Sequence, residues 1–294
     1  MTLPQIKKRI KGECDFIRSL ANAYTCYGFR GDPKQIKMAL LTAYFDESGN
    51  HDGNHVCVVA GYVGIDAQWT SFVGEWIPAL GKQQKNLHVS SIRNFKRAAP
   101  LFEKLGAIPE RHHLQRVIGG VRWNDYKSIV KGKLRKKFTH PYMLAAQACI
   151  FQVVGTMSRS DEIMFYFSRQ DVQEKNIRAM YKIVFEQHKT DPRVKGIDYI
   201  FPDITVCCDP ADYLAFSVRE YKLDPHSVKA RVTSPILGDG KAIGYIYTPE
   251  RLRENVEFLV SSGASMATEA IIDRRRIPTR HFPRSAFFNI FEDD

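Results

Sequence analysis

Ala43-Tyr44-Phe45-Asp46-Glu47-Ser48-Gly49-Asn50 closes an apolar run with two adjacent acids and a turn. The run that leads into it, Met38 to Phe45, is short and rich in apolar and aromatic residues, which predicts a buried strand rather than a helix. Ser48-Gly49-Asn50 and Asp52-Gly53-Asn54 supply turn chemistry, and Val56 to Val63 reads as a second strand. Two neighbouring strands joined by a turn follow. Successive side chains of a strand point to opposite faces, so Asp46 and Glu47 meet at one point only if the strand has ended or bulges. Asp46 is expected to aim at a site.

Composition narrows the function classes. The chain of 294 residues is 44% hydrophobic and 26% charged, a globular composition long enough for a substantial core. It has no apolar run near the ~20 residues of a membrane span and no secretory leader pattern, so a cytoplasmic protein without membrane association is expected. The six cysteines form no CxxC pair, which disfavours zinc or a disulfide framework. A net charge of +11 favours a polyanionic partner. The cations cluster: Lys127 to Lys137 contains Lys131, Lys133, Arg135, Lys136 and Lys137 and no acid, and Arg274, Arg275 and Arg276 form a second group. Such runs are ordinarily solvated faces. Two of them in a basic chain tilt the reading toward nucleic acid.

Residues 1–37 carry apolar positions at helical spacing and form an N-terminal helical extension. Asp66 is expected to cap a helix whose Trp69, Phe72, Val73 and Trp76 share one face, a stripe that reads as core. Between residues 81 and 140 the pattern weakens into an embellished, basic middle region, with a short strand at Leu87-His88-Val89 and a helical piece over Arg111 to Ile118. Pro141 opens a long buried helix to Val154, and Glu162 to Phe167 is a buried strand. A helix is expected from Asp171 to about His188 and another from Asp209, capped by Asp209 after a strand at Thr205 to Cys208. The final third holds a strand at Ala242 to Tyr247 and a helix from Pro249 to about Ser261.

Three acid-bearing places thus share one structural address: the end of the first strand (Asp46, Glu47), the start of the helix after the Met164 strand (Asp171), and the start of the later helix (Asp209, Asp212). Carboxylates that converge without cations repel, unless a divalent metal fills the gap. Two Mg²⁺ ions held this way stabilise the attacking and leaving oxygens of a phosphodiester. Capping accounts for Asp171 and Asp209 without function, whereas Asp46 ends an apolar strand that needs no acid. GxSxG, Walker A and HExxH patterns are missing from the sequence.

Asp46-Glu47-Ser48-Gly49, the Trp69 to Trp76 helix, Leu87-His88-Val89 and Pro210-Ala211-Asp212-Tyr213-Leu214-Ala215 occur in the order seen in the family known as domain of unknown function 3800. From Leu40 to Gly244 the chain resembles that family, which is similar to RNase H-like proteins. The resemblance implies an α/β fold, an RNase H-like mixed sheet flanked by helices over residues 38–294. It also implies Mg²⁺-dependent phosphodiester hydrolysis at Asp46 and Asp212. The residues add Mn²⁺ as an alternative ion, Glu47 or Asp171 as a third ligand, and His88 as a group that orients water or phosphate. The sequence departs from the pattern at Ser168, where an acid is usual after the strand, and at Asn86, before the His88 motif. Two further readings follow: a nucleic-acid-binding protein with a decayed site, and a module that holds an acidic protein partner.

Overall fold

The computed structural model describes residues 2–28, 40–49, 51, 53–81, 85–138, 140–158, 160–168, 193–261 and 287–291. Its centre is a mixed sheet in the order β5-β4-β1-β2-β3-β6-β7. The strands are β1 (Leu40–Ser48), β2 (Val56–Ile65), β3 (Gln115–Arg122), β4 (Glu162–Ser168), β5 (Val194–Ile200), β6 (Lys241–Tyr247) and the short β7 (Phe287–Asn289). β1, β2 and β3 form an antiparallel meander, while β4 and β5 run parallel to β1. β6 runs parallel to β3 and antiparallel to β7.

The helices are α1 (Leu3–Gly28), α2 (Asp66–Leu80), α3 (Phe95–Gly106), α4 (Ile108–Arg111), α5 (Trp123–Ile129), α6 (Lys133–Lys137), α7 (Pro141–Thr156), α8 (Asp209–Leu223), α9 (Val228–Thr233) and α10 (Pro249–Ser261). They cover both faces of the sheet. One core contains Tyr44 of β1, the stripe Trp69, Phe72, Val73 and Trp76 of α2, and Tyr213 and Phe216 of α8. The other contains Ala43 and Phe45 of β1 and most of α7. Because both faces of β1 are covered, the strand reads as a continuous apolar run rather than an alternating one.

Several sequence expectations are met and others corrected. The two tryptophans of α2 are fully buried, and Trp69 Nε1 donates to the Thr42 carbonyl at 3.0 Å. Asp66 is the first residue of α2, not its cap; Ile65 precedes the helix, and its N–H is taken by Gln68 Oε1 at 2.9 Å. β1 extends to Ser48, so Asp46 and Glu47 lie inside the paired strand, opposite Ala60 and Val59. The helical piece expected over Arg111 to Ile118 is instead the last residue of α4 followed by β3. β-branched Val117, Ile118 and Val121 fit a pleated surface, and pairing with both β2 and β6 outweighs the local spacing. The middle region therefore contributes an internal strand of the sheet.

The strand expected at Thr205 to Cys208 is a 3₁₀ turn over Val206–Cys208, closed by Thr205 Oγ1, which accepts from Cys207 N at 3.2 Å. Leu87 and His88 belong to no strand and lead into a 3₁₀ turn at Val89–Ser91. β5, with Lys195 and Asp198 among its residues and a register shift beside Ile163, has too irregular a pattern to be anticipated.

The contact between α7 and the sheet depends on Gly119 of β3. An added Cβ there would collide with the Ala145 carbonyl of α7 and come within 2.9 Å of the Cys149 thiol. Backbone and helix cannot both stay in place. Gly119→Ala is expected to lower stability by about 1–3 kcal/mol, as overpacked cores do, read as a reduced urea midpoint with an unchanged slope.

Candidate active site at the end of the central strand

β1 brings its acids to the sheet edge where the parallel strands end. Alternation puts Asp46 on the face of Tyr44, beneath α2 and α8, and Glu47 on the face of Phe45. Burial, with the Glu47 carboxylate second, pushes the Cys57 thiol and the Tyr142 hydroxyl up, which places Glu47 among the side chains of the second core. Both acids are buried, each 7% exposed. Gly49 follows with φ +83°, a conformation in which an added Cβ would also strike the Val56 carbonyl. The turn after the acids requires glycine there.

Asp46 Oδ1 accepts from the Glu47 N–H at 2.8 Å. Burial raises the Asp46 pKa well above the ordinary carboxylate value, and the charges of Glu47 and Asp212 raise it further.

α8 supplies two more acids from its first turn. Asp209 is 2% exposed, and its Oδ2 accepts from Trp76 Nε1 and from the Leu87 N–H, both at 3.0 Å. It does not cap the helix as expected. Cys208 is the flanking residue, and as the first helical residue Asp209 turns its carboxylate to the neighbouring segment. Asp212 Oδ2 accepts from the Val89 N–H at 2.8 Å and lies 3.2 Å from His88 Nδ1. No described residue bonds its Oδ1.

The two acids explain why Leu87 and Val89 form no strand. Their N–H groups, which would pair with a neighbouring strand, end on carboxylates instead. His88 between them is exposed, with Nε2 3.1 Å from Ser90 Oγ. The hydrogen bond to Asp212 raises the His88 pKa against a smaller opposing effect of burial, and the charges of Asp212, Asp46 and Asp209 add to it.

Other positions fall around this centre. Ser168 is 1% exposed and ends β4, one residue past the pair Phe45↔Phe167 and on the face of Tyr166. It therefore stands level with Asp46 on the adjacent strand. Asn86 is structural: Nδ2 donates to the Pro202 carbonyl at 2.7 Å, and Oδ1 accepts from Arg9 at 3.3 Å. Arg9 also holds the Lys85 carbonyl, and Glu13 Oε2 accepts from Thr205 Oγ1 at 2.8 Å. α1 thereby braces the segments before His88 and before Asp209, a role that its sequence does not announce. Ser90 and Trp76 are likewise partners that only the folded chain reveals.

In the basic middle region, Lys127, Lys131, Lys133 and Arg135 are exposed on α5, α6 and their connection. Trp123 anchors this region to the site by donating Nε1 to the Gly49 carbonyl at 2.8 Å, with the Lys127 ammonium 5.7 Å from its ring centre. Lys136 and Lys137 lie in α6. Asp171, Arg274, Arg275 and Arg276 lie outside the described residues. Among the described residues, no group of three or more His, Cys, Asp or Glu side chains is arranged to hold a metal ion, and no helix is long and apolar enough to cross a membrane.

No family model and no curated protein matches the chain.

The raised Asp46 pKa has a measurable consequence. A carboxyl whose folded pKa exceeds its unfolded value contributes stability that is complete below about pH 3.9 and is lost as pH climbs through the folded value. Asp46→Asn keeps an acceptor for the Glu47 N–H and removes the charge. The variant is expected to melt a few degrees above the wild type near neutral pH, with the gain fading toward about pH 4. Thermal unfolding across that range checks it, and a variant less stable at neutral pH would overturn the account.

Proposed function

We propose that the chain is a divalent-metal-dependent nuclease of RNase H-like type, related to domain of unknown function 3800. One observation carries the reading: Asp212 is fixed through Oδ2 alone, leaving Oδ1 open beside buried Asp46. Among the described residues, neither acid is paired with a lysine or arginine. A mixed sheet flanked by helices, with an acid near the end of an internal strand, suits the RNase H-like reading.

The donor set fits Mg²⁺ or Mn²⁺. Asp46 and Asp212 offer hard oxygen ligands, and Mg²⁺ is commonly held by one or two carboxylates with water and substrate phosphate completing its shell. Burial of Asp46 near the charges of Glu47 and Asp212, which raises its pKa, makes this a place where a cation would relieve repulsion. When bound, the ion supplies Lewis-acid polarisation of a phosphoryl oxygen and a more acidic water. His88, kept protonated to higher pH by Asp212, is placed to carry a proton or hold a phosphate, with Ser90 fixing its ring. The net charge of +11 and the cations anchored through Trp123 favour a nucleic-acid backbone as the partner.

Ser168 favours a second reading, a nucleic-acid binder on the same fold whose third carboxylate has been lost. One experiment tests both. Purified protein is incubated with labelled DNA and RNA in Mg²⁺, in Mn²⁺ and in EDTA. Metal-dependent cleavage is expected, with Asp46→Asn and Asp212→Asn each reducing it roughly 100-fold or more. Undiminished cleavage in these variants overturns the nuclease assignment. Binding without cleavage, converted to cleavage by Ser168→Asp, favours the second reading.

A further inference from the structure

α8 carries more than the acids of its first turn. Arg219 follows Asp212 two turns later, so it returns to within about 20° of the same helix face, roughly 10 Å further along the axis. β1 advances by the same distance. Gly49 lies just past the end of the strand, roughly 10 Å of extended chain beyond Asp46. Arg219 accordingly reaches the turn after β1: a Cβ added to Gly49 would stand 3.2 Å from Arg219 Cδ. Asp212 and Arg219 on the helix thus run alongside Asp46 and Gly49 on the strand, from the carboxylates to the turn beyond them.

The guanidinium is held in place with donors to spare. Its Cζ lies 4.8 Å from the centre of the Phe216 ring, which stacks in turn on Phe95 with ring centres 5.6 Å apart. Nη2 donates to Glu220 Oε1, the one hydrogen bond of this guanidinium among the described residues. A guanidinium has five donors in a planar fork. The Arg219 side chain is 21% exposed, so the remaining donors can meet a group that arrives from solvent. On the other flank of the same turn, Trp123 donates to the Gly49 carbonyl and has the Lys127 ammonium near its ring.

We propose that Arg219 is a phosphate-binding residue of this site, gripping the nucleic-acid backbone about three base steps of ~3.4 Å away from the bond held at the carboxylates. This rests on the reading of the chain as a nucleic-acid enzyme or binder, and it names a residue that sets the position of the strand. The planar fork matches two oxygens of a phosphodiester at once, which a lysine ammonium does not. At that distance Arg219 touches the substrate backbone and takes no part in bond cleavage. Its contact with Glu220 also serves the fold: Glu220 is 5% exposed, and a carboxylate so buried loses its counter-ion when Arg219 is changed. The two roles are separable by removing both charges together.

The test is fluorescence anisotropy with the full chain, Ca²⁺ in place of Mg²⁺, and fluorescein-labelled probes (a DNA strand, an RNA strand and a DNA duplex) over about 50 to about 200 mM salt. On whichever probe the wild-type protein binds, Arg219→Gln is expected to weaken binding about 10-fold and to reduce the slope of log affinity against log salt by about one. Arg219→Lys restores the slope and only part of the affinity. Glu220→Gln alone leaves binding unchanged, and Arg219→Gln combined with Glu220→Gln, which strands no buried charge, binds as weakly as Arg219→Gln. Wild-type affinity in the double variant, or an unaltered salt slope in Arg219→Gln, overturns the inference. Binding of none of the probes by wild-type protein overturns it together with the nucleic-acid reading. Metal-dependent cleavage with no Arg219 effect on binding overturns the inference alone. An Arg219 effect in a protein that cleaves nothing overturns the nuclease reading and leaves the phosphate contact standing.

Discussion

Two backbone N–H groups, those of Leu87 and Val89, set the geometry of the site by ending on the carboxylates of Asp209 and Asp212. Charge-assisted bonds of this kind are stronger than bonds between neutral groups, and they fix a segment that has no strand to pair with. Through them the first turn of α8 places His88 over the end of β1. Trp76 adds a third donor from α2, so three distant parts of the chain meet at one pair of acids.

The same arrangement carries an electrostatic cost. Asp46, Glu47, Asp209 and Asp212 are all at least nine-tenths buried, and neither Asp46 nor Asp212 is paired with a described lysine or arginine. Asp209 offsets burial with two donated hydrogen bonds, and Asp212 with the Val89 N–H and the His88 ring. Among the described residues, Asp46 has one backbone donor, its neighbour's N–H. An acid so poorly compensated is not there to hold the fold together. In the proposed nuclease it is the group that a metal ion would compensate.

α1 changes the meaning of the N-terminal region. Ile17 is buried in the core below α2, and Arg9 and Glu13 reach the segments on either side of the site. The helix therefore supports the carboxylate centre instead of hanging from it. The segment at Pro202 is tied to the same network through Asn86, so brace and acids are mechanically continuous.

The central strand, the tryptophan stripe of α2, the long buried α7 and the helix opening at Asp209 were readable from the chain because each rests on local pattern: apolar runs, helical spacing, and proline near a helix start. Asp46 stood out for the same reason, an acid that its strand does not need. β3 and β5 were not readable, since pairing with neighbours overrides their weak local preference. Nor were the roles of Asp209, Arg9 and Glu13, because a hydrogen bond between residues far apart leaves no trace in either neighbourhood. Local sequence settles which segments are extended or helical. Only the sheet order and the packing of α8 against β1 decide which acids meet, because convergence belongs to the assembled fold and to no single stretch of it.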